Sequence, residues 1–406
     1  MKLKAVLFTF LYLFLYILPL YAGNIYKLGL SLAITGPTSD AGFPYSKGVE
    51  DYFRYVNDNK LLGDDIIQCM IRDDQYKKPL TIRNFEEFLK EKIVLYLNYS
   101  TGSTLILKKA FEEVKIPVIP ASFHAGNLIN SNYIFLPIAS YSEQALGLAE
   151  YIANNFKESK ANLAMFIHPS AFGRGPVEDV RKAVKKGLNV NIIEIVEHRK
   201  DLDVTAMLKR WKDKKINFVI CQTVQSYVAR LLKEAWRLEM AASVFGENKK
   251  ITFMGAHYTG GNDLIKLAGS AAENFFWTTS YTLTSEKDVN TKAQLELAKK
   301  YKRSDKTAHS HNYTNGIMVA QIATEVIRRA KARGLEVNRK NLYDILNNMN
   351  GYNAFYSIAT VGPITFSKND RAGVDTLQIY TVQDSIFKPK GNPFVSEYIK
   401  KIYKAY

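Results

Sequence analysis

Cysteine is nearly absent: two residues, Cys69 and Cys221, in a chain of 406. Two thiols exclude a disulfide framework, and they cannot make a structural zinc site without histidines at suitable spacing. Each lies in or beside an apolar run, Ile66-Ile67-Gln68-Cys69-Met70-Ile71 and Phe218-Val219-Ile220-Cys221, and reads as a buried, inert thiol. No linker rich in glycine, serine or proline divides the chain, and neither internal repeats nor low-complexity segments occur. Catalytic signatures are missing too. There is no Gly-x-Ser-x-Gly elbow, no His-Glu-x-x-His, no P-loop and no Gly-x-Gly-x-x-Gly. His309-Ser310-His311 would set two imidazoles on one face of a strand, but no third ligand is near in sequence. No metal and no cofactor is implied.

Acidic residues are fewer than basic ones, 39 against 55, for a net charge of +16. The bases are spread over helical stretches with acids interspersed, as in Arg181-Lys182, Lys185-Lys186 and residues 209–215. No arginine-rich arm, finger or helix-turn-helix pattern accompanies them, so the excess reads as a solvated surface and not as a nucleic-acid partner. Long hydrophobic runs are also lacking after the first. Lys2 and Lys4 precede an apolar run over residues 5–18, closed by Pro19 and Leu20-Tyr21-Ala22-Gly23. A basic head, an apolar middle and small residues at the end make an export signal over residues 1–22, either cleaved or kept as an anchor. The expected location is periplasmic, where ATP and reduced nicotinamides are not available. A hydrophobic fraction of 47% and the remaining length suit two ordinary globular domains.

What is present is a regular alternation. Apolar runs of strand length, at residues 28–34, 93–97, 117–119, 163–167 and 218–221, alternate with amphipathic helical stretches. Continuous apolar strands between helices predict parallel sheets covered on both faces. Ligands of such sheets bind beyond the carboxyl ends of the strands, so the loops there are the ones to inspect. They include the turn-rich 35–45 loop and Asn98-Tyr99-Ser100-Thr101-Gly102-Ser103-Thr104. The latter offers hydroxyls and free amides at a helix start, which suits a carboxylate and equally suits plain helix capping. Further loops hold Pro120-Ala121-Ser122-Phe123, the segment 168–175, and Gly255-Ala256-His257-Tyr258-Thr259.

The order of these segments resembles the type I periplasmic binding proteins of the leucine–isoleucine–valine-binding group, the solute receptors of ABC importers. The resemblance runs from about Lys27 to Gln383. It is carried by Thr35-Gly36-Pro37 with Gly42 and Gly48, Val56-Asn57, Asp73-Asp74, Ser100 with Ala121-Ser122, Ala171-Phe172-Gly173-Arg174-Gly175, Phe253-Met254-Gly255 and Val361-Gly362-Pro363-Ile364-Thr365-Phe366. It implies an α/β fold of two Rossmann-like lobes with parallel-type sheets, joined by three crossings. The lobes would be 23–141 with 281–355, and 142–280 with 356–385, followed by a C-terminal extension, 386–406.

The resemblance implies a small solute, carboxylate or amino-acid-like, held in the cleft between the lobes, and an ABC permease as membrane partner. Ser100 and the Ala121-Ser122 amides would hold the carboxylate, with Thr101 and Thr223 beside them and Phe172 touching the solute from the second lobe. His257 falls where the family's amino-acid binders carry an acid for the ligand ammonium. A neutral imidazole offers one donor and one acceptor but no permanent negative charge. The expectation is therefore a carboxylate without the usual ammonium contact, and weak binding of leucine, isoleucine and valine. The rival readings are a ligand-sensing receptor module and an exported enzyme.

Overall fold

The computed structural model describes residues 23–158, 160–280, 283, 289–352 and 362–402, so the export-signal reading of residues 1–22 lies outside it. The chain begins with β1 (Ile25–Leu32), α1 (Ser39–Asp58), β2 (Ile66–Asp73), α2 (Lys78–Lys90), β3 (Leu95–Asn98), α3 (Thr101–Glu113) and β4 (Val118–Pro120). These strands form one parallel sheet in the order β2-β1-β3-β4. Leu28, Leu30, Leu95 and Leu97 are fully buried, because helices cover both faces.

The chain then enters a second lobe through α4 (Tyr141–Asn155). It continues as β5 (Ala161–Ile167), α5 (Ala171–Lys185), β6 (Val190–Glu197), α6 (Val204–Asp213), β7 (Phe218–Gln222), α7 (Gln225–Arg237), β8 (Thr252–Gly255), α8 (Asn262–Ala268) and β9 (Phe276–Thr279). It returns to the first lobe as α9 (Val289–Lys300), α10 (Asp305–Ala308), α11 (His311–Ala332), α12 (Arg339–Leu346) and the hairpin β10 (Asn348–Tyr352) with β11 (Ile364–Ser367). It ends on the second lobe with β12 (Gln378–Gln383), β13 (Ile386–Pro389) and α13 (Glu397–Ile402). The second sheet has the order β13-β12-β9-β8-β7-β5-β6, with β12 and β13 antiparallel at one edge. Among the described residues no helix is long and apolar enough to cross a membrane.

Several expectations shift. Residues 386–402 are no appendage. Ile386 pairs with Gln383 across a tight hairpin, Phe387 is buried in the second core, and α13 packs on α4 and α5. Ile364 and Phe366 belong to the first core, so the return crossing follows Ser367 and not residue 355. His309-Ser310-His311 is not a strand: Ser310 caps α11, its hydroxyl accepting the Asn312 amide. The expected 168–175 loop is helical from Ala171. Pro176 has no N–H for the Phe172 carbonyl, and the Gln222 side-chain amide donates to that carbonyl instead, at 3.2 Å. This exchange lets the helix start early and fixes Phe172 at its mouth.

Two glycines explain how the first lobe closes its core. A Cβ on Gly48 of α1 would lie 2.2 Å from the Tyr313 carbonyl, and one on Gly316 of α11 would lie 2.1 Å from the Tyr45 carbonyl. The two helices therefore touch backbone to backbone, a contact that any side chain would force apart. Cys69 lies on β2 and Cys221 on β7, in different sheets, and both are free. Burial raises both thiols, so neither is a ready thiolate at neutral pH.

Candidate functional site

The carboxyl ends of both sheets face each other. Between them lies a small cavity lined by Thr38, Tyr76, Tyr99, Thr101, Ala121, Tyr141, Phe172, Val224 and Tyr258. Each residue follows a strand or opens the helix after one, which is why the loops after strands held the signal. Five of the nine rings or side chains are aromatic, and no acid or base is among them. The lobes touch across this space. The Tyr258 hydroxyl donates to the Ala121 carbonyl at 2.6 Å, and the Ser226 hydroxyl to Asp40 at 3.1 Å. Ser310 donates to Asp263 at 2.7 Å, and Lys266 pairs with Asp305 at 3.1 Å. Tyr141, Phe172, Val224 and Tyr258 share one continuous apolar cluster with the first lobe's core.

Two sets of polar groups border the cavity, and the Tyr141 phenol is near both. In one, Thr101 opens α3, whose first-turn amides lack carbonyl partners within the helix. The Thr101 hydroxyl accepts from the Ser122 hydroxyl at 2.8 Å, and Asn127 holds Ser122 in turn through its carbonyl at 2.8 Å. In the other set the Ala121 carbonyl faces the hydroxyls of Tyr258 and, at 3.4 Å, Tyr141. Tyr141 and Phe172 meet edge to face with centroids 5.2 Å apart, and Phe172 and Tyr258 do so at 5.8 Å. Burial pushes the Tyr76 phenol up to about 12 and raises those of Tyr99 and Tyr141, so these phenols stay protonated at neutral pH.

Of the residues expected from sequence, Thr101, Ala121 and Phe172 line the cavity. Ser122 stands directly behind Thr101. Ser100 is the N-cap of α3, its hydroxyl accepting the Ser103 amide at 3.4 Å. The Ala121 amide is engaged by the Asn98 carbonyl at 2.7 Å, so Ala121 offers its carbonyl to the cavity and not a donor. Thr223 is fully buried at the end of β7, its hydroxyl without a hydrogen-bond partner among the described residues, and Val224 is the lining residue. His257 is also fully buried and does not line the cavity. Its amide donates to Gln144 at 2.9 Å, its Nδ1 lies 3.2 Å from the Thr279 hydroxyl, and Phe123 and His311 flank its ring. Tyr258, one residue on, takes the place expected of it. The premise that an imidazole faces the solute's nitrogen therefore fails.

Thr38, Tyr76, Tyr99, Tyr141, Val224 and Tyr258 were not expected. Tyr76 lies two residues after the Asp73-Asp74 pair, and Tyr99 lies within the 98–104 segment. Tyr141 opens a helix in the first crossing and carried no sequence signal.

Behind Phe172 stand two histidines, with His168 and His198 ring centroids 4.9 Å apart and His198 stacked on Tyr227 at 3.5 Å. Burial lowers His168 to about 4 and His198 to about 3, the Glu197 carboxylate opposing both shifts. The unfolded chain takes up these protons near pH 6.5, before the native state does. These imidazoles therefore cost nothing above that pH and destabilise the fold as pH falls from 6.5 toward 3. Replacing His198 by phenylalanine keeps the stack and removes one titration. The melting temperature of His198→Phe is expected to fall less steeply between pH 6.5 and 4; parallel curves would disprove the assignment.

The family described as periplasmic binding protein matches residues 25–388. A branched-chain amino acid ABC transporter protein from Thermus thermophilus, solved with bound valine, is 42% identical, with 94% of this chain and 100% of that one covered and a TM-score of 0.88. A leucine-binding protein from Thermotoga maritima, 17% identical with coverages of 90% and 98%, superposes with a TM-score of 0.71. A solute-binding protein from Rhodopseudomonas palustris, in complex with 3,4-dihydroxybenzoic acid, is 16% identical with coverages of 92% and 98% and a TM-score of 0.75. No match was found among curated proteins. With two facing α/β lobes, a cavity between them and residues 25–388 matched, the chain belongs to the periplasmic binding protein family and is the extracytoplasmic solute-binding component of an ABC importer.

Proposed function

We propose that the solute is a short branched aliphatic amino acid, bound and released by the protein in the periplasm without chemical change. The observation that carries this reading is the valine held by the Thermus thermophilus protein at 42% identity. The cavity's chemistry supports it. The α-carboxylate is assigned to Thr101 and the amino end of α3, where hydroxyl and backbone donors meet a positive helix end. The ammonium is assigned to the Ala121 carbonyl, the Tyr141 and Tyr258 hydroxyls and the neighbouring ring faces. Neutral oxygens and aromatic faces replace the acid that the sequence lacks at position 257, each cation–π contact being worth about 0.5–2 kcal/mol when desolvated. The remaining wall, Val224 with Tyr76 and Tyr99, suits a short apolar side chain.

Calorimetry with L-valine, L-leucine and the corresponding 2-oxo acids tests this. Valine and leucine are expected to bind with a negative heat-capacity change, and the 2-oxo acids at least tenfold more weakly. Preference for the 2-oxo acids would show that the cavity takes a carboxylate without its ammonium. Recovery of valine unaltered from the incubated protein supports binding without catalysis.

A further inference from the structure

The loop after β2 holds Gln75 and Tyr76 at φ values of 54° and 60° in succession. Both residues carry a Cβ, and the left-handed region is sterically disfavoured for such residues. Two adjacent carboxylates impose the conformation. Asp73 accepts the Gln75 amide at 3.0 Å and is anchored by the Ile34 amide at 3.0 Å and the Thr35 hydroxyl at 2.5 Å. Asp74 accepts the Tyr76 amide at 2.9 Å and is anchored by the hydroxyls of Ser31 and Thr81, both at 2.9 Å. The loop is thereby pinned to β1, to the loop after it and to α2. Strain maintained by this many contacts points to a side chain whose position matters.

The side chain so aimed is the Tyr76 ring. It lines the cavity from the first lobe and crosses to the second, where it meets His168 edge to face at 5.9 Å. The ring thus occupies the gap between the lobes, and the space it fills is denied to the solute.

We propose that Tyr76 is the size gate of the site: clamped by Asp73 and Asp74, its ring excludes long and aromatic solute side chains from the closed cleft. The proposal rests on the amino-acid reading above for the choice of solutes. Asp73 and Asp74 are positioning residues, since they reach the solute only through Tyr76. When the lobes close, a short branched side chain fits beneath the ring, and a phenyl group collides with it. A rigid wall discriminates far better than one that can swing aside, which gives the strained loop its use.

The test measures L-valine, L-phenylalanine and the 2-oxo acids of both by calorimetry on the wild type and on Tyr76→Ala, Tyr76→Phe and Gln75→Gly. Thermal melts serve as the folding control. In the wild type the short member of each pair should bind at least tenfold more tightly. Tyr76→Ala is expected to shift the phenyl-to-isopropyl affinity ratio by about a hundredfold toward the larger solute. Tyr76→Phe should keep the wild-type ratio. Gln75→Gly, which relieves the left-handed residue and frees the loop, should raise the melting temperature while shifting the ratio a few-fold the same way. An unchanged ratio in Tyr76→Ala, with both affinities reduced alike, would overturn the gate. Binding of the 2-oxo acids alone would overturn the ammonium reading while the ratio within that pair still decides on Tyr76. If none of the four binds the wild type, both readings fall.

Discussion

Replacing Tyr258 with alanine is expected to weaken valine binding by about a hundredfold, the scale of an aromatic anchor at a buried contact. The ring does three things. It walls the cavity, it stacks on Phe123 at 5.9 Å with the rings 3° from parallel, and it meets Tyr141 and Phe172 edge to face. Its hydroxyl accepts from the Asn315 amide at 3.1 Å and donates to the Ala121 carbonyl at 2.6 Å, joining the lobes. Truncation removes the wall, the cross-lobe bond and a partner of two buried polar groups. Tyr258→Phe keeps the wall and loses the bond, so about a tenfold loss is expected from a single hydrogen bond of about 1.5 kcal/mol. Calorimetry reads both, and melts of the unliganded variants separate binding from folding. Wild-type affinity in Tyr258→Ala would remove this residue from the site.

The second large effect is on stability. Asp51 on α1 is fully buried and accepts from Arg303 at 2.7 and 2.5 Å and from the Tyr313 hydroxyl at 2.8 Å. These groups tie α1 to α11 and to the segment after α9, close to the backbone contact at Gly48 and Gly316. Asp51→Ala leaves a mostly buried guanidinium with only Glu50 nearby, at 3.4 Å. Breaking one partner of a buried pair costs about 3–5 kcal/mol, because the remaining charge loses its compensation. The melting temperature should fall by about 6–10 °C, at ~2 °C per kcal/mol for a chain of this size. A melt within the error of wild type would mean that Glu50 or solvent takes over fully. Solute selectivity should not change, since none of these groups lines the cavity.

The alternation of strands and helices was legible because each element is coded locally. Apolar runs such as residues 163–167 and 218–221 leave few alternatives to a buried parallel strand, and β5 and β7 differ from them only at their ends. Where the reading slipped, a distant contact had intervened. α5 begins at Ala171 because Gln222, on another strand, serves the carbonyl that Pro176 cannot. β13 exists because β12 offers it an edge and the second core a place for Phe387.

The same division runs through the site. By itself the sequence determined the two-lobe α/β class, and it pointed to the loops after strands, from which Thr101, Ala121 and Phe172 line the cavity between the lobes. Each follows from local pattern, from the rule that parallel sheets bind at their carboxyl ends, and from the family resemblance. Only the tertiary structure decided which neighbour in each loop faces the cavity. The short helical turn His257–Thr259 sends successive side chains in different directions, burying His257 against Thr279 and turning Tyr258 into the cleft. Tyr76 and Tyr141 come from segments 65 residues apart and line one cavity. Direction within a turn and proximity across a cleft depend on long-range packing, which no local pattern encodes.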